Sequence, residues 1–247
     1  MRVVAVIPSR YGSTRFAAKP LADIAGKSMI RRVYERTARS ATVSETVVAT
    51  DDRRIADAVE GFGGRAVLTS ESCRSGTDRA AEAARILGLA KDDIVVNVQG
   101  DQPLVHPESV DEVAAPFFTE AGLNMTTLAF EIVRPEEIVN PKDVKVVFDN
   151  QGFALYFSRS PVPCSRDRDV PFATYKHLGL YAYTRRFLEV FAGLSETRLE
   201  AIEKLEQLRA LEHGYRIKVV VTRHDSPEVD VPADIVRIAG MIRADER

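Results

Sequence analysis

Between Pro8 and Lys19 the chain sets Arg10, Arg15 and Lys19 among Gly12, Ser13 and Thr14, directly after an apolar run. Fixed cations with short-range hydrogen-bond donors are the chemistry that holds a triphosphate. A solvated basic loop has the same composition, and only the position behind a strand favours phosphate. The segment is no Walker A loop, because G-x-x-x-x-G-K-[ST] is absent. A second centre is Val98-Gln-Gly-Asp101-Gln-Pro103. There a carboxylate beside a glycine is placed either to hold Mg²⁺ on a nucleotide phosphate or simply to make a tight turn before proline. Asp230, in Glu228-Val-Asp-Val-Pro232, suits a helix-start cap and a second metal ligand equally. The histidines His106, His177, His213 and His224 have no metal spacing, and no G-x-S-x-G elbow supports covalent hydrolysis. Gly61-Phe-Gly-Gly64 fits the loose dinucleotide pattern but precedes a strand, which makes it a helix terminator.

The elements that must position these groups follow from periodicity. Val3–Ile7 is a continuous apolar run, as a strand buried on both faces requires. Met29, Ile30, Val33, Tyr34 and Thr37 recur at helical spacing, and 47–49 is the next strand. Asp51 or Asp52 caps a helix through Val59, 65–68 is a strand, 77–87 an Ala-rich helix and 94–98 a strand. This alternation implies right-handed crossovers and a parallel sheet covered on both faces, with ligands beyond the carboxyl ends of its strands. From about residue 120 the rhythm changes. Segment 125–132 is strand-like, and 144–148 and 153–157 flank Asp149-Asn-Gln-Gly152, a link that predicts an antiparallel hairpin. Residues 158–175 read as a long surface loop, 199–211 as one helix, 217–221 as a strand and 232–242 as a closing helix. The expected fold class is α/β: a mixed, mostly parallel sheet with helices on both faces and a small antiparallel lobe. It forms one domain in two halves, about 1–120 and about 121–247.

Composition narrows the partners. With 34 basic against 36 acidic residues the net charge is -2, so no global field draws nucleic acid or an anionic membrane, and any anion must be held locally. Cys73 and Cys164 lack a C-x-x-C neighbour, which argues against structural zinc and for free thiols in a reducing compartment. The opening apolar run is too short for a signal peptide core or a membrane span, and the expected location is the cytoplasm.

Eight segments, in order along the chain, carry a resemblance: Pro8-Ser-Arg-Tyr-Gly-Ser-Thr-Arg15 with Lys19-Pro-Leu21, Ala49-Thr-Asp51, Ser75-Gly-Thr77, Val96-Asn-Val-Gln-Gly-Asp101, Val144-Lys-Val-Val147, Leu155-Tyr-Phe-Ser-Arg159, His177-Leu-Gly179 and Leu205-Glu-Gln-Leu-Arg209. Together they resemble the 3-deoxy-manno-octulosonate (Kdo) cytidylyltransferases, the CMP-Kdo synthetase family. The resemblance implies a Rossmann-like nucleotidyltransferase fold, a homodimer, Mg²⁺ as cofactor, and transfer of CMP from CTP to Kdo for lipopolysaccharide. Two departures stand out. Phe16-Ala-Ala18 replaces the family's common Leu-Pro-Gly before the lysine, and Asp230-Val-Pro232 replaces Asp-Thr-Pro while keeping the carboxylate.

Carried onto this chain, the resemblance has Arg10, Arg15 and Lys19 hold the β- and γ-phosphates, with Ser13 beside them, and Asp101 and Asp230 hold the metal. Arg74, Ser75, Gly76 and Thr77 are the choice for reading cytosine. Gln99, Arg159, His177, Tyr181, Glu206 and Gln207 face the sugar, Gln99 the nucleotide as well and Arg159 by a two-pronged contact to the sugar carboxylate, so the resemblance implies nucleotide binding by about 1–120 and sugar binding and dimerisation by about 121–247. Glu206 and Gln207 equally suit an exposed helix face. Alternatives are an amino-substituted Kdo or another keto acid as acceptor, and a nucleotide-binding regulatory module without catalysis.

Overall fold

The computed structural model describes residues 1–12, 16, 18–167 and 170–245. In chain order, β1 is Val3–Ser9, followed by a 3-10 turn at Lys19–Leu21 and the two-residue strands β2 (Asp23–Ile24) and β3 (Lys27–Ser28). Then come α1 (Met29–Thr37), β4 (Glu45–Thr50), α2 (Arg53–Gly61), β5 (Ala66–Leu68), α3 (Gly76–Ile86), β6 (Ile94–Asn97), α4 (Pro107–Ala114) and α5 (Pro116–Thr119). The second half holds β7 (Met125–Glu131), α6 (Pro135–Val139), β8 (Lys145–Phe148), β9 (Ala154–Ser158) and β10 (Tyr175–Thr184). It closes with α7 (Arg185–Gly193), α8 (Arg198–Glu203), α9 (Gln207–Glu212), β11 (Lys218–Thr222) and α10 (Pro232–Asp245).

One mixed sheet joins the halves in the order β11-β7-β10-β6-β1-β4-β5. The early apolar strands pair in parallel, β1 with β4 and β6 and β4 with β5. Strand β10 is the seam, antiparallel to both β6 and β7, and the β8–β9 hairpin hangs from its first residues. Asp149 closes that hairpin by accepting from the backbone N–H groups of Gln151 and Phe153. Alternate residues of the central strands feed two cores. Val4, Val6, Val47, Val95 and Tyr183 pack on the side of α3 and α7, and Val3, Ala5, Ile7, Val48 and Val96 on the side of α1 and α4. Each valine or isoleucine among them contributes about 1.5–3 kcal/mol by leaving water. A third cluster, Ile24, Met29, Val229, Ile238 and Ile242, clamps α10 and the segment before it against the β2–β3 hairpin.

Several local expectations resolve in physical terms. Asp52 is the cap of α2, accepting from Arg54 N–H at 2.9 Å, while Asp51 turns inward to pair with Arg79 at 2.7 Å. Gly63, at φ 82°, follows the end of α2, so the glycine cluster does terminate a helix. The single helix expected over 199–211 is instead two short ones. The break is at Lys204, which takes φ 53°. Tertiary bonds explain it: the Glu203 carboxylate accepts from Ser158 Oγ and Arg159 N–H, and the Arg159 guanidinium takes the carbonyls of Glu203 and Lys204. Among the described residues no helix is long and apolar enough to cross a membrane.

Candidate active site

The carboxyl ends of β1 and β6 and the start of α3 enclose an open cleft of about 270 Å³ lined by Arg10, Lys19, Arg74, Ser75, Gln99 and Asp101, among others. The close approach of the two strand ends depends on Gly100, where a Cβ would lie 2.9 Å from the Pro8 carbonyl oxygen. Lys19 Nζ donates to Asp101 Oδ2 at 2.8 Å, so the expected phosphate cation and the expected metal ligand begin as an ion pair. Ser13 and Arg15 lie outside the described residues. Ala18 holds the left-handed region at φ 54°, ψ 21°, which explains why a glycine there would be the easier residue.

At the start of α3, roles divide. Ser75 lines the cleft but spends its hydroxyl as the helix cap, accepting from Asp78 N–H at 3.1 Å. Arg74 donates to Asp78, and Gly76 lines the cleft wall. Thr77 is buried, and its hydroxyl donates to Glu206 Oε2 at 2.6 Å, which ties α3 to the second half instead of offering it to a base. Arg79, unremarked in the sequence, reaches the cleft floor while bonded to Asp51 and Thr69, locking the ends of β4 and β5 to α3. Cys73 also lines the cleft. Burial and the Glu82 carboxylate push its thiol up to about 11, so it is protonated and unreactive, and both cysteines are free.

Gln99 lines the cleft while its Nε2 donates to the Gly179 carbonyl in β10 at 3.1 Å. Beyond it His177 and Tyr181 stand with ring centroids 5.2 Å apart. Thr127 Oγ1 donates to the Leu180 carbonyl and lies 2.9 Å from His177 Nε2, so that nitrogen carries the proton and Nδ1 is left as an acceptor. Burial pushes His177 down to about 3, and it stays neutral at physiological pH. Burial, with the Glu206 and Glu228 carboxylates, raises the Tyr181 phenol well above its usual value, keeping it a donor. Glu206 is half-buried with Oε1 unpartnered, and Gln207 is buried with Nε2 unpartnered, so neither sits on an exposed helix face. Arg159 is differently engaged. Its Nε, Nη1 and Nη2 donate to the carbonyls of Glu203, Pro141 and Lys204.

The segment 228–230 meets the β6 turn through Val229 N–H, which donates to the Asp101 carbonyl at 2.9 Å. Glu228 is a carboxyl that motif reasoning misses; the residue is exposed overall, with Oε1 accepting from Gln102 Nε2. Its signal was the spacing, since in extended chain residues 228 and 230 fall on one side. Desolvation of the carboxyl, and then the negative charge of Asp101, pushes Glu228 up to about 7, with Asp230 adding to the shift. This crowding of hard oxygen donors suits a divalent cation. Among the described residues no three side chains form a ready metal cage, and Mg²⁺ does not need one, since it keeps waters and takes phosphate oxygens beside one or two carboxylates. Asp230 lies two residues before α10, and Asp234 Oδ2, in the first turn of that helix, accepts from the N–H groups of Asp230 and Val231.

Residues 4–218 match the cytidylyltransferase family. The chain belongs to that family. This cytidylyltransferase is 64% identical to a 3-deoxy-manno-octulosonate cytidylyltransferase of Desulfosudis oleivorans, over 98% of both chains. It is 56% identical to an 8-amino-3,8-dideoxy-manno-octulosonate cytidylyltransferase of Shewanella piezotolerans, over 95% of this chain and 96% of that one. Among solved structures, a CMP:2-keto-3-deoxy-manno-octonic acid synthetase complexed with CTP superposes with TM-score 0.93 at 40% identity, covering 99% of this chain and 100% of that one. The cytidylyltransferase is thus a nucleotidyltransferase by family and fold.

Proposed function

We propose that this cytidylyltransferase transfers CMP from CTP to the anomeric hydroxyl of Kdo. The hydroxyl oxygen attacks the α-phosphorus, the bond from that phosphorus to the bridging oxygen of pyrophosphate breaks, and the hydroxyl proton leaves to solvent. The observation that carries the reading is Gln99. It lines the cationic cleft fit for a triphosphate and bonds to Gly179 in the strand that carries His177 and Tyr181, which supports two substrates meeting at one strand end. The likeness to a synthetase complexed with CTP supports the nucleotide, and the names of the relatives support the sugar.

Arg10, Arg15 and Lys19 hold the outer phosphates and stabilise the departing pyrophosphate. The arrival of CTP separates Lys19 from Asp101, freeing the carboxylate. Asp101 and Asp230 are the ligands for Mg²⁺, which when bound polarises the phosphate and favours ionisation of the attacking hydroxyl. Arg74, Ser75 and Gly76 face the base. His177 Nδ1, the Tyr181 phenol, Glu206 and Gln207 receive the sugar hydroxyls, and Arg159 exchanges its partly exposed carbonyls for the sugar carboxylate. Positioning and charge, rather than a protein nucleophile, carry the reaction. The protein acts in the cytoplasm as a homodimer, in lipopolysaccharide synthesis.

A pyrophosphate-release assay with Mg²⁺, four nucleoside triphosphates and several keto acids tests the proposal. Turnover confined to CTP with Kdo supports it, and no release with that pair overturns it. The unpartnered Oε1 of Glu206 favours one second reading, in which a carboxylate meets an ammonium on 8-amino-Kdo. A large kcat/KM preference for that sugar at equal concentration would establish it.

A further inference from the structure

Gln102 follows Asp101 in the β6 turn, and its side chain is fully buried. Its Nε2 donates to the Leu178 carbonyl at 3.0 Å and to Glu228 Oε1 at 3.2 Å. Both partners are acceptors, which fixes the orientation of the amide. Leu178 and Gly179 lie in the irregularity of β10, between His177 and Tyr181, where the register against β7 shifts. Gly179 takes φ 56°, and a Cβ there would stand 3.6 Å from Glu228 Oε1 and 3.8 Å from Gln102 Nε2. Glu228 in turn precedes by two residues Asp230, and Val229 N–H is bonded to the Asp101 carbonyl. One amide therefore touches the bulge that sets His177 and Tyr181 and the segment that carries Asp230, from the turn that carries Asp101.

We propose that Gln102 is a positioning residue, which sets the acceptor strand and the Asp230 segment against Asp101 through the Leu178 carbonyl and Glu228. The inference rests on the cytidylyltransferase reading above and extends it to two side chains given no substrate contact there. A glycine bulge is a soft point in a strand, and a buried bond in low dielectric stiffens it. In-line transfer responds steeply to such placement, because displacing a reacting group by about an ångström costs about a hundredfold in rate. Chemistry also restricts position 102. Two acceptors need N–H donors from one side chain, and an ionised carboxyl would supply neither and would face Glu228 with like charge.

Three variants test the proposal: Gln102→Met, near-isosteric without donors; Gln102→Glu; and the exchange Gln102→Glu with Glu228→Gln, which restores an amide-to-carboxylate bond in the opposite sense. Gln102→Met is expected to leave the KM for CTP within about twofold, to lower kcat about tenfold or more and to raise the KM for Kdo. Calorimetric binding of Mn²⁺ in the presence of CTP should weaken in the same variant. Gln102→Glu should be slower still, and the exchange should recover about tenfold over it, a coupling that two independent sites would not show. A structural role alone would lower the thermal midpoint and the active fraction without separating the two KM values, and that result, or wild-type kinetics in Gln102→Met, overturns the proposal. Should the native enzyme release no pyrophosphate with Kdo, the functional reading fails by itself. Mn²⁺ binding across the variants then still decides: weakened binding supports the positioning role, and unchanged binding overturns it.

Discussion

Lys19 Nζ lies 2.8 Å from Asp101 Oδ2, across the mouth of the cleft. Each neutralises the other in the free protein, although the proposed reaction assigns one to phosphate and the other to a cation. The pair is partly exposed, with side chains 15% and 30% accessible, so solvent screening keeps it weak and a charged ligand can separate it. In the proposed reaction a nucleotide with its metal would supply the two exchanges at once.

Lys19→Ala should therefore raise the KM for CTP about tenfold or more, the loss of a charge-assisted bond of about 1.5–3 kcal/mol, with little change in thermal midpoint. Asp101→Asn and Asp230→Asn should each abolish most turnover while leaving the fold intact, since an amide is a poor ligand for a hard cation. Initial rates over a Mg²⁺ series check this. Full activity of Asp230→Asn at unchanged metal demand would leave that residue no metal role.

At Ala18 the left-handed backbone sets an order of variants. Ala18→Gly removes a strain of about 1–2 kcal/mol and adds unfolded-state freedom of somewhat less, giving equal or slightly higher stability and an equal or lower KM for CTP. Ala18→Val, branched at Cβ, should lose on both counts. Urea unfolding with CTP kinetics would refute the argument if valine proved as good as glycine.

His177 couples stability to pH. Its value falls to about 3 in the fold, against about 6.5 unfolded. Below pH about 6.5 the unfolded chain takes a proton that the folded one refuses. Stability thus falls with acid through the window from about 6.5 to about 3, by at most about 1.4 kcal/mol per pH unit from this group. Unfolding free energies for His177→Gln should show a slope shallower by about one proton in that window.

Arg159→Lys should raise the KM for Kdo about tenfold while the KM for CTP holds within about twofold, because one ammonium cannot reproduce a planar two-pronged contact. The same change also removes donors from the Glu203 and Lys204 carbonyls at the helix break. If neutral sugars of similar size were used as well as keto acids, the carboxylate contact would be refuted.

The sequence by itself determined the strands of the first half, their parallel pairing and the placing of two candidate loops at their ends. It did so because a strand buried on both faces must be apolar throughout, and a crossover has one hand. It also determined the family, since eight motifs in order leave little freedom. Only the tertiary structure decided which polar groups meet. Thr77 and Glu206 are 129 residues apart in the chain and 2.6 Å apart in space, and no local pattern relates them. The break at Lys204 escaped the helical spacing of leucines because it is held by Arg159 from just beyond the end of β9. Gln102 looked like an ordinary turn residue for the same reason: its character comes from burial against the β10 bulge, and that of Glu228 from its bond to Gln102 and its nearness to Asp101. Periodicity records which face a residue presents to its own element. The company that sets its charge and partners is fixed when the sheet brings distant ends together.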